Sequence, residues 1–302
     1  MSEIVERITE IRATRPDAVA EALAARKRRP LLAESGTLFF VAADHPARGA
    51  IKVGDDPRAM ADRGDLLRRL VTALERPGVD GLLGSPDIID DLALLGALDE
   101  KVVIGSMNRG GLAGAVFELD DRFTGYTAEA IVAAGFEGGK MLLRIADDDP
   151  GTLPTLTACA AAVDALAARG LIAMIEPFAA RRENGRVKVV LDPDPTIRAI
   201  GITSALGATS AYTWLKLPVI EEMERVMAAT TLPTLLLGGD PGTDTEKTFE
   251  GWRRAMQIPQ VRGLVAGRAL LYPGDGDVAG AVDAAATIVS EGAKPRRETQ
   301  VR

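Results

Sequence analysis

Two lysines and two carboxylates stand inside or at the ends of apolar runs in this chain: Asp44 in VAADH, Lys140 in GGKMLLRI, Glu176 in MIEPF and Lys216 in YTWLKLP. A lysine turned into an apolar space is costly to keep charged, and a second ammonium beside it adds to that cost. The neutral amine attacks carbonyl carbon and forms a Schiff base. The resulting iminium draws electrons from an adjacent carbon–carbon bond, which can then break or form. Such a reaction also needs groups that move a hydroxyl proton, and Asp44 and Glu176 are the carboxylates at hand. Strand alternation puts Tyr212, Trp214 and Lys216 on one face, so a lysine at 216 follows an aromatic lining. On residue types alone, Lys216 equally fits a rim ion pair and Lys140 a counter-ion for Asp44 or Glu176. Asp44 also fits a turn cap, His45 a structural imidazole, and Glu176 before Pro177 a solvated strand end.

A second pair of phrases suggests what the ligand carries. LLLGGD (235–240) and VRGLVAGRALL (261–271) each read as a buried strand running into glycine. Gly238 and Gly239 let backbone amides approach a ligand closely, and Gly267 with Arg268 sets an open turn beside a cation. Glycine-tipped strands one helix apart are the layout of a phosphate cradle at the rim of a (β/α)8 barrel, after strands seven and eight. Arg144 shares strand parity with Lys140 and is placed to reach a substrate anion. Asn108 and Arg109 open a glycine-rich loop that fits either substrate binding or simple solvation.

Composition removes several classes. The net charge is −7, which argues against a nucleic-acid footprint. One cysteine, Cys159 in an Ala-rich helical stretch, and one histidine, His45, leave no disulfide, no cysteine metal site and no multi-histidine metal site. No metal and no organic cofactor is expected. Residues 1–30 lack the apolar core of a signal peptide, and no run of 18 apolar residues occurs, so a cytoplasmic protein without membrane contact is the expectation. With 302 residues, 47% of them hydrophobic, the chain is within range of one large α/β domain.

The elements that would position these residues follow a rhythm. Eight apolar runs read as strands: 37–44, 81–85, 102–108, 138–145, 171–178, 211–217, 232–239 and 261–268. Their continuity, rather than alternation, suits parallel strands covered on both faces. Helical spacing fills 59–75, 86–98, 125–135, 154–169, 194–207, 219–229, 244–256 and 277–291. Pro86 with Asp87, Pro218, and Asp244 with Lys247 supply start signals. Eight strands alternating with eight helices predict a TIM barrel, the (β/α)8 fold, with an N-terminal helical extension over 1–30 ending in Lys27, Arg28 and Arg29. An open doubly wound sheet is the runner-up, and no G-x-G-x-x-G follows the first strand to support it. A single domain over 1–302 is expected, with a polar tail at 292–302. Two segments interrupt the rhythm: the loop 108–122, and the charged stretch 179–193, where Asn184-Gly185 fits a hairpin turn. Both follow strands and belong to the working face.

Taken together, VAADHPARG, KMLLRI, MIEPF, YTWLKLP, LLLGGD and GLVAGRALL resemble the signature strands of the class I aldolases, the superfamily of deoxyribose-phosphate, tagatose-bisphosphate and archaeal-type fructose-bisphosphate aldolases. The likeness runs in order across about residues 37–271. It implies Lys216 as the Schiff-base lysine, Asp44-His45 as the Asp-His after strand one, and Glu176 and Lys140 as the strand-five acid and strand-four lysine of the tagatose-type branch. It implies phosphate turns at Gly238-Gly239 and Gly267-Arg268. Arg144-Ile145-Ala146 stands where tagatose-type members tend to carry tyrosines, which marks a divergent branch. An aldolase for a phosphorylated sugar or sugar acid, such as inositol breakdown produces, is the implied activity, and a homo-oligomer the implied assembly. Two rival readings keep the barrel: a metal-independent phosphosugar isomerase or epimerase with Glu176 as base, and a non-catalytic sugar-phosphate-binding barrel.

Overall fold

The computed structural model describes residues 3–239 and 245–293. Asp240, Asp244 and the tail from 294 onward, named above, lie outside these. Eight parallel strands close into a barrel: β1 (Leu38–Ala43), β2 (Gly81–Gly84), β3 (Val102–Ser106), β4 (Gly138–Ile145), β5 (Ile172–Glu183), β7 (Thr213–Leu217), β8 (Thr234–Leu237) and β9 (Val261–Ala266). β9 pairs with β1, and β4 pairs with both β3 and β5, so the ring has no open edge. This is the (β/α)8 TIM barrel expected from the strand–helix alternation. A ninth strand, β6 (Arg186–Val190), runs antiparallel to the far half of β5 outside the ring. Asn184 and Gly185 turn the chain between them with φ of 51° and 76°, the two positive angles a tight hairpin needs.

β5 therefore runs further than its apolar stretch implied. Pro177 does not end it. The strand continues through Pro177 to Glu183 and rises above the rim as a hairpin arm.

Alternation sorts the strand residues into two cores. Phe39, Val41, Met141, Leu143, Ile175, Leu215, Leu236 and Leu264 face outward and pack on the helices. Leu38, Phe40, Leu83, Val102, Ile104, Ile172, Met174, Trp214, Leu235 and Val265 fill the lumen. The helices bury one stripe each. In Arg63–Leu74, for example, Leu66, Leu67, Leu70 and Leu74 face the sheet, and Asp62 caps the first turn by accepting from Asp65 N at 2.8 Å. Several predicted helices are shorter in the structure. The stretch 219–229 keeps only Met223–Met227, because Glu222 adopts a left-handed φ of 52° that stops the helix at its start. Tyr212 precedes β7 and is exposed, so the lumen-facing aromatic beneath Lys216 is Trp214 alone.

The N-terminal extension forms two helices, Glu3–Thr14 and Ala18–Ala25. The chain after them closes the lower end of the barrel. Leu31 and Leu32 pack on the lumen core. Arg26 and Arg28 approach Glu137 at 3.4 and 3.2 Å, and Arg29 meets Asp80 at 2.5 Å. The basic run of the sequence is thus a charge-paired stopper. Among the described residues, no helix is long and apolar enough to cross a membrane.

Candidate active site

The inward parity of each strand carries on past the apolar layer. One step above Ala42, Ile104, Met174 and Trp214 come Asp44, Ser106, Glu176 and Lys216, with Lys140 on β4 beside them. Above these lie Arg144 and Phe178. All but Ser106 line one cavity of about 300 Å³ at the C-terminal mouth, with His45, Arg48, Arg109, Glu118, Gly238, Gly239, Gly267 and Arg268 also on its walls. Every site residue read from the sequence therefore reaches one space, from six different strand ends.

The ion pairs are interlocked. Lys216 Nζ lies 2.8 Å from Glu176 Oε1, and Lys140 Nζ contacts the other oxygen, Oε2. Lys140 Nζ also donates to Asp44 Oδ2 at 3.3 Å. Asp44 Oδ2 further accepts from Arg109 Nη2 and from Ser106 Oγ at 3.1 Å, while Arg109 Nε donates to Ser106 Oγ at 2.7 Å. The Lys216 side chain is only 4% exposed. Burial alone would raise both carboxyls, but their cations outweigh it. Arg109 and then Lys140 hold Asp44 well below its usual range, and Lys140 and then Lys216 do the same for Glu176. Lys140 is pushed down to about 8, first by burial and then by Arg109, against the pull of Asp44 and Glu176. It is a buried ammonium at neutral pH that loses its proton far more readily than an ordinary lysine.

His45 is driven to about 3, by burial and by Arg268, Lys216 and Arg109 against Asp44. Its imidazole is neutral, and its buried Nδ1 has no hydrogen-bond partner among the described residues.

The glycine turns need one correction. The Gly238 amide, expected to face a phosphate, donates to Val265 O at 3.3 Å and so belongs to the β8–β9 ladder. Its neighbour Gly239 leaves the ladder with φ +66°, and a Cβ there would meet only the Leu237 side chain, at 4.0 Å. Gly267 is small for a different reason: a Cβ there would come within 2.3 Å of Ala42 O on β1. Arg268 lines the cavity and reaches Lys52 O at 3.4 Å. Arg144, expected to reach a substrate anion, gives its Nη1 to Glu118 Oε1 at 2.5 Å.

Sequence reasoning left out Arg48 and Glu118 as site residues and left Arg109 open between substrate binding and solvation. Arg109 carried a signal, because it follows a strand end directly. Glu118 carried none, because only the path of the 108–122 loop brings it back over the mouth. Asn108 fixes the start of that loop, donating to Leu142 O at 2.6 Å and accepting from Leu142 N at 2.7 Å.

A closed barrel whose mouth holds buried lysines bridged by carboxylates defines the broad class. Residues 36–286 match the Cgl0159-like family, and the chain belongs to it. Cgl0159 from Corynebacterium glutamicum is 55% identical, over 96% of this chain and 98% of that one, with a TM-score of 0.94. More distant in sequence, an archaeal fructose 1,6-bisphosphate aldolase is 17% identical over 90% of this chain and 99% of that one, with a TM-score of 0.63. A Schiff-base-forming fructose-1,6-bisphosphate aldolase is 18% identical over 90% and 99%, with a TM-score of 0.61. These two share the fold. None of the curated proteins compared with the chain matches it.

Proposed function

We propose that this protein is a class I aldolase that cleaves or forms a carbon–carbon bond in a phosphorylated sugar or sugar acid through a Schiff base on Lys216. The observation that carries the reading is the buried Lys216 amine, 2.8 Å from one oxygen of Glu176 while Lys140 holds the other. The Schiff-base former of like fold adds to it. The amine adds to the substrate carbonyl and water leaves, giving an iminium. A carboxylate takes the proton from the hydroxyl on the second carbon from the iminium carbon. That C–O becomes the aldehyde carbonyl as the bond between the first and second carbons breaks, and the bond's electrons pass to the iminium as an enamine. An aldehyde departs, the enamine takes a proton at carbon, and water releases the second product. Glu176 orients the amine, and Asp44 and Glu176 would move the hydroxyl proton. Lys140, at about 8, exchanges protons most readily near neutral pH. Gly239, Gly267 and Arg268, with His45 nearby, would hold the phosphate. Assembly as a homo-oligomer, a single domain and a cytoplasmic location belong to the same proposal.

The test is borohydride trapping with a panel of ketose phosphates and aldehydes, read by peptide mass. A reduced adduct is expected on Lys216 and none in Lys216→Ala. An adduct on Lys140, or turnover by Lys216→Ala near the wild-type rate, sinks the reading. The latter outcome favours an isomerase with Glu176 as base.

A further inference from the structure

One wall of the cavity is built of charges that already cancel. Arg48 and Arg144 converge there from the turn after β1 and from β4, and both are met by the loop that crosses above. Glu118 Oε1 accepts from Arg144 Nη1 at 2.5 Å and lies 3.6 Å from Arg48 Nη2. Asp121 Oδ2 stands 3.5 Å from Arg144 Nη2. Two guanidiniums therefore face two carboxylates. Burial, and then the neighbouring Arg144, pushes Arg48 down to about 10, so the cation is held in a poorly hydrated place.

The loop is not poised to leave. Glu118 Oε2 accepts from Gly114 N at 2.8 Å, Arg48 Nε donates to Gly111 O at 3.0 Å, and Ala113 N donates to Arg48 O at 2.9 Å. Gly111 is packed so closely that a Cβ would sit 2.2 Å from Glu118 O. The hairpin arm adds a latch: Arg182 Nη2 donates to Val116 O at 2.6 Å. The rest of the wall is Ala50, Ala113, Phe178 and Val189.

We infer that this wall is a subsite for an uncharged, hydroxyl-bearing end of the ligand, with Glu118 the residue that rejects a second anion there. The inference rests on the reading that the opposite wall binds a phosphate, and it narrows the ligand to one phosphorylated at a single end. A hydroxyl donates to the Glu118 carboxylate, and Arg144 Nε, buried and without an acceptor among the described residues, suits a hydroxyl oxygen. A phosphate or carboxylate placed there meets a buried like charge, which disfavours it strongly.

Two measurements decide the matter. Crystals of wild type and Glu118→Gln soaked in inorganic phosphate are compared for occupied anion sites. The variant, which is isosteric and keeps a carbonyl acceptor for Arg144, should gain one site between Arg48 and Arg144. A phosphate there in the wild type, or no gain in the variant, overturns the inference. Wild type alone is then titrated with fructose 1-phosphate and fructose 1,6-bisphosphate. The monophosphate should bind about tenfold more tightly or better. A bisphosphate that binds as well or better overturns the inference too. Borohydride readout on Lys216 separates the two ideas. A preference for the monophosphate without an adduct removes the aldolase and leaves the subsite, and an adduct together with bisphosphate binding as tight as the monophosphate's does the reverse.

Discussion

The two ends of the barrel both bury ion pairs, and only the upper pairs draw on lysine as well as arginine. At the lower end Glu137 is met by Arg26 and Arg28 and accepts from Val103 N at 2.7 Å, while Asp80 takes Arg29 and Phe39 N. At the upper end Glu176 is held by two lysines, and Asp44 by a lysine and an arginine. Arginine stays protonated at any working pH and presents a planar fork, whereas lysine gives up its proton when burial asks for it. The lower end has its remaining carboxylate oxygens on backbone amides and Leu31 and Leu32 beneath the lumen. The upper end opens on a cavity. Permanent charge with its carboxylates fully engaged makes a stopper; removable charge around a void makes a site.

The largest expected effect tests that contrast directly. Lys216→Ala should lower turnover by on the order of 10⁴-fold, because the covalent step disappears, with little change in folding. Glu176 keeps Lys140, so no carboxylate is stranded. Glu137→Gln should do the opposite. It leaves Arg26, 2% exposed in its side chain, without its carboxylate and should cost about 3 kcal/mol of stability. The folded fraction should keep its wild-type kcat. Urea unfolding and active-site titration measure both. If Glu137→Gln instead lost kcat without losing stability, the two ends would not be separable in this way.

The next effect is one of pH. An ordinary lysine titrates near 10.5, and Lys140 sits at about 8 in the fold. Between these values the unfolded chain binds more protons than the folded one, so this group makes stability rise as pH rises from about 8 to about 10.5. Below 8 it is protonated in both states and its burial penalty is present in full. Asp44 and Glu176 are depressed, so their contribution is present above the ordinary carboxylate range near 4 and is lost as pH falls below it through their own lowered values. The difference in unfolding free energy between wild type and Lys140→Met should therefore climb from pH 8 to 10.5. A flat or falling difference would mean that the upper lysine is as fixed in charge as the arginines below.

How much of this was legible in the sequence follows from where each residue sits. Strand parity is local, so YTWLKLP and MIEPF place Lys216 and Glu176 above an apolar lining without any knowledge of the fold. The barrel itself follows from repetition. What the sequence hid lies in long-range partners. Arg28 and Arg29 are visible as a basic run, yet their partners Glu137 and Asp80 are about 110 and 50 residues away. Glu118 sits in a loop with no periodicity, and only the meeting of that loop with Arg48 and Arg144 gives it meaning. Gly238 was ambiguous for a related reason. A glycine wanted for close strand packing looks the same in sequence as one wanted for a ligand. A Cβ at Gly238 would lie 2.8 Å from the Ala266 side chain, so packing alone is enough to require glycine there.

The smallest effect concerns the hairpin, the part of the upper end least tied to the barrel. Gly185 has φ 76° with nothing within 4 Å of where a Cβ would be, so Gly185→Ala meets no clash and pays only for its backbone angle, about 1 kcal/mol. That cost falls on residues 179–190, whose pairing with one another runs from Ala179–Val190 to Glu183–Arg186. The barrel ring does not use β6. Global unfolding should therefore be unchanged within about 0.5 kcal/mol, while amide exchange across 179–190 quickens. Val189 on the cavity wall and the Arg182 latch to Val116 then lose definition, so KM should rise a few-fold with kcat unaltered, the pattern of lost uniform binding. A fall in global stability as large as the local cost would show instead that the arm folds as one unit with the ring. The upper end would then be as firmly closed by structure as the lower, with only the protonation of its lysines to tell them apart.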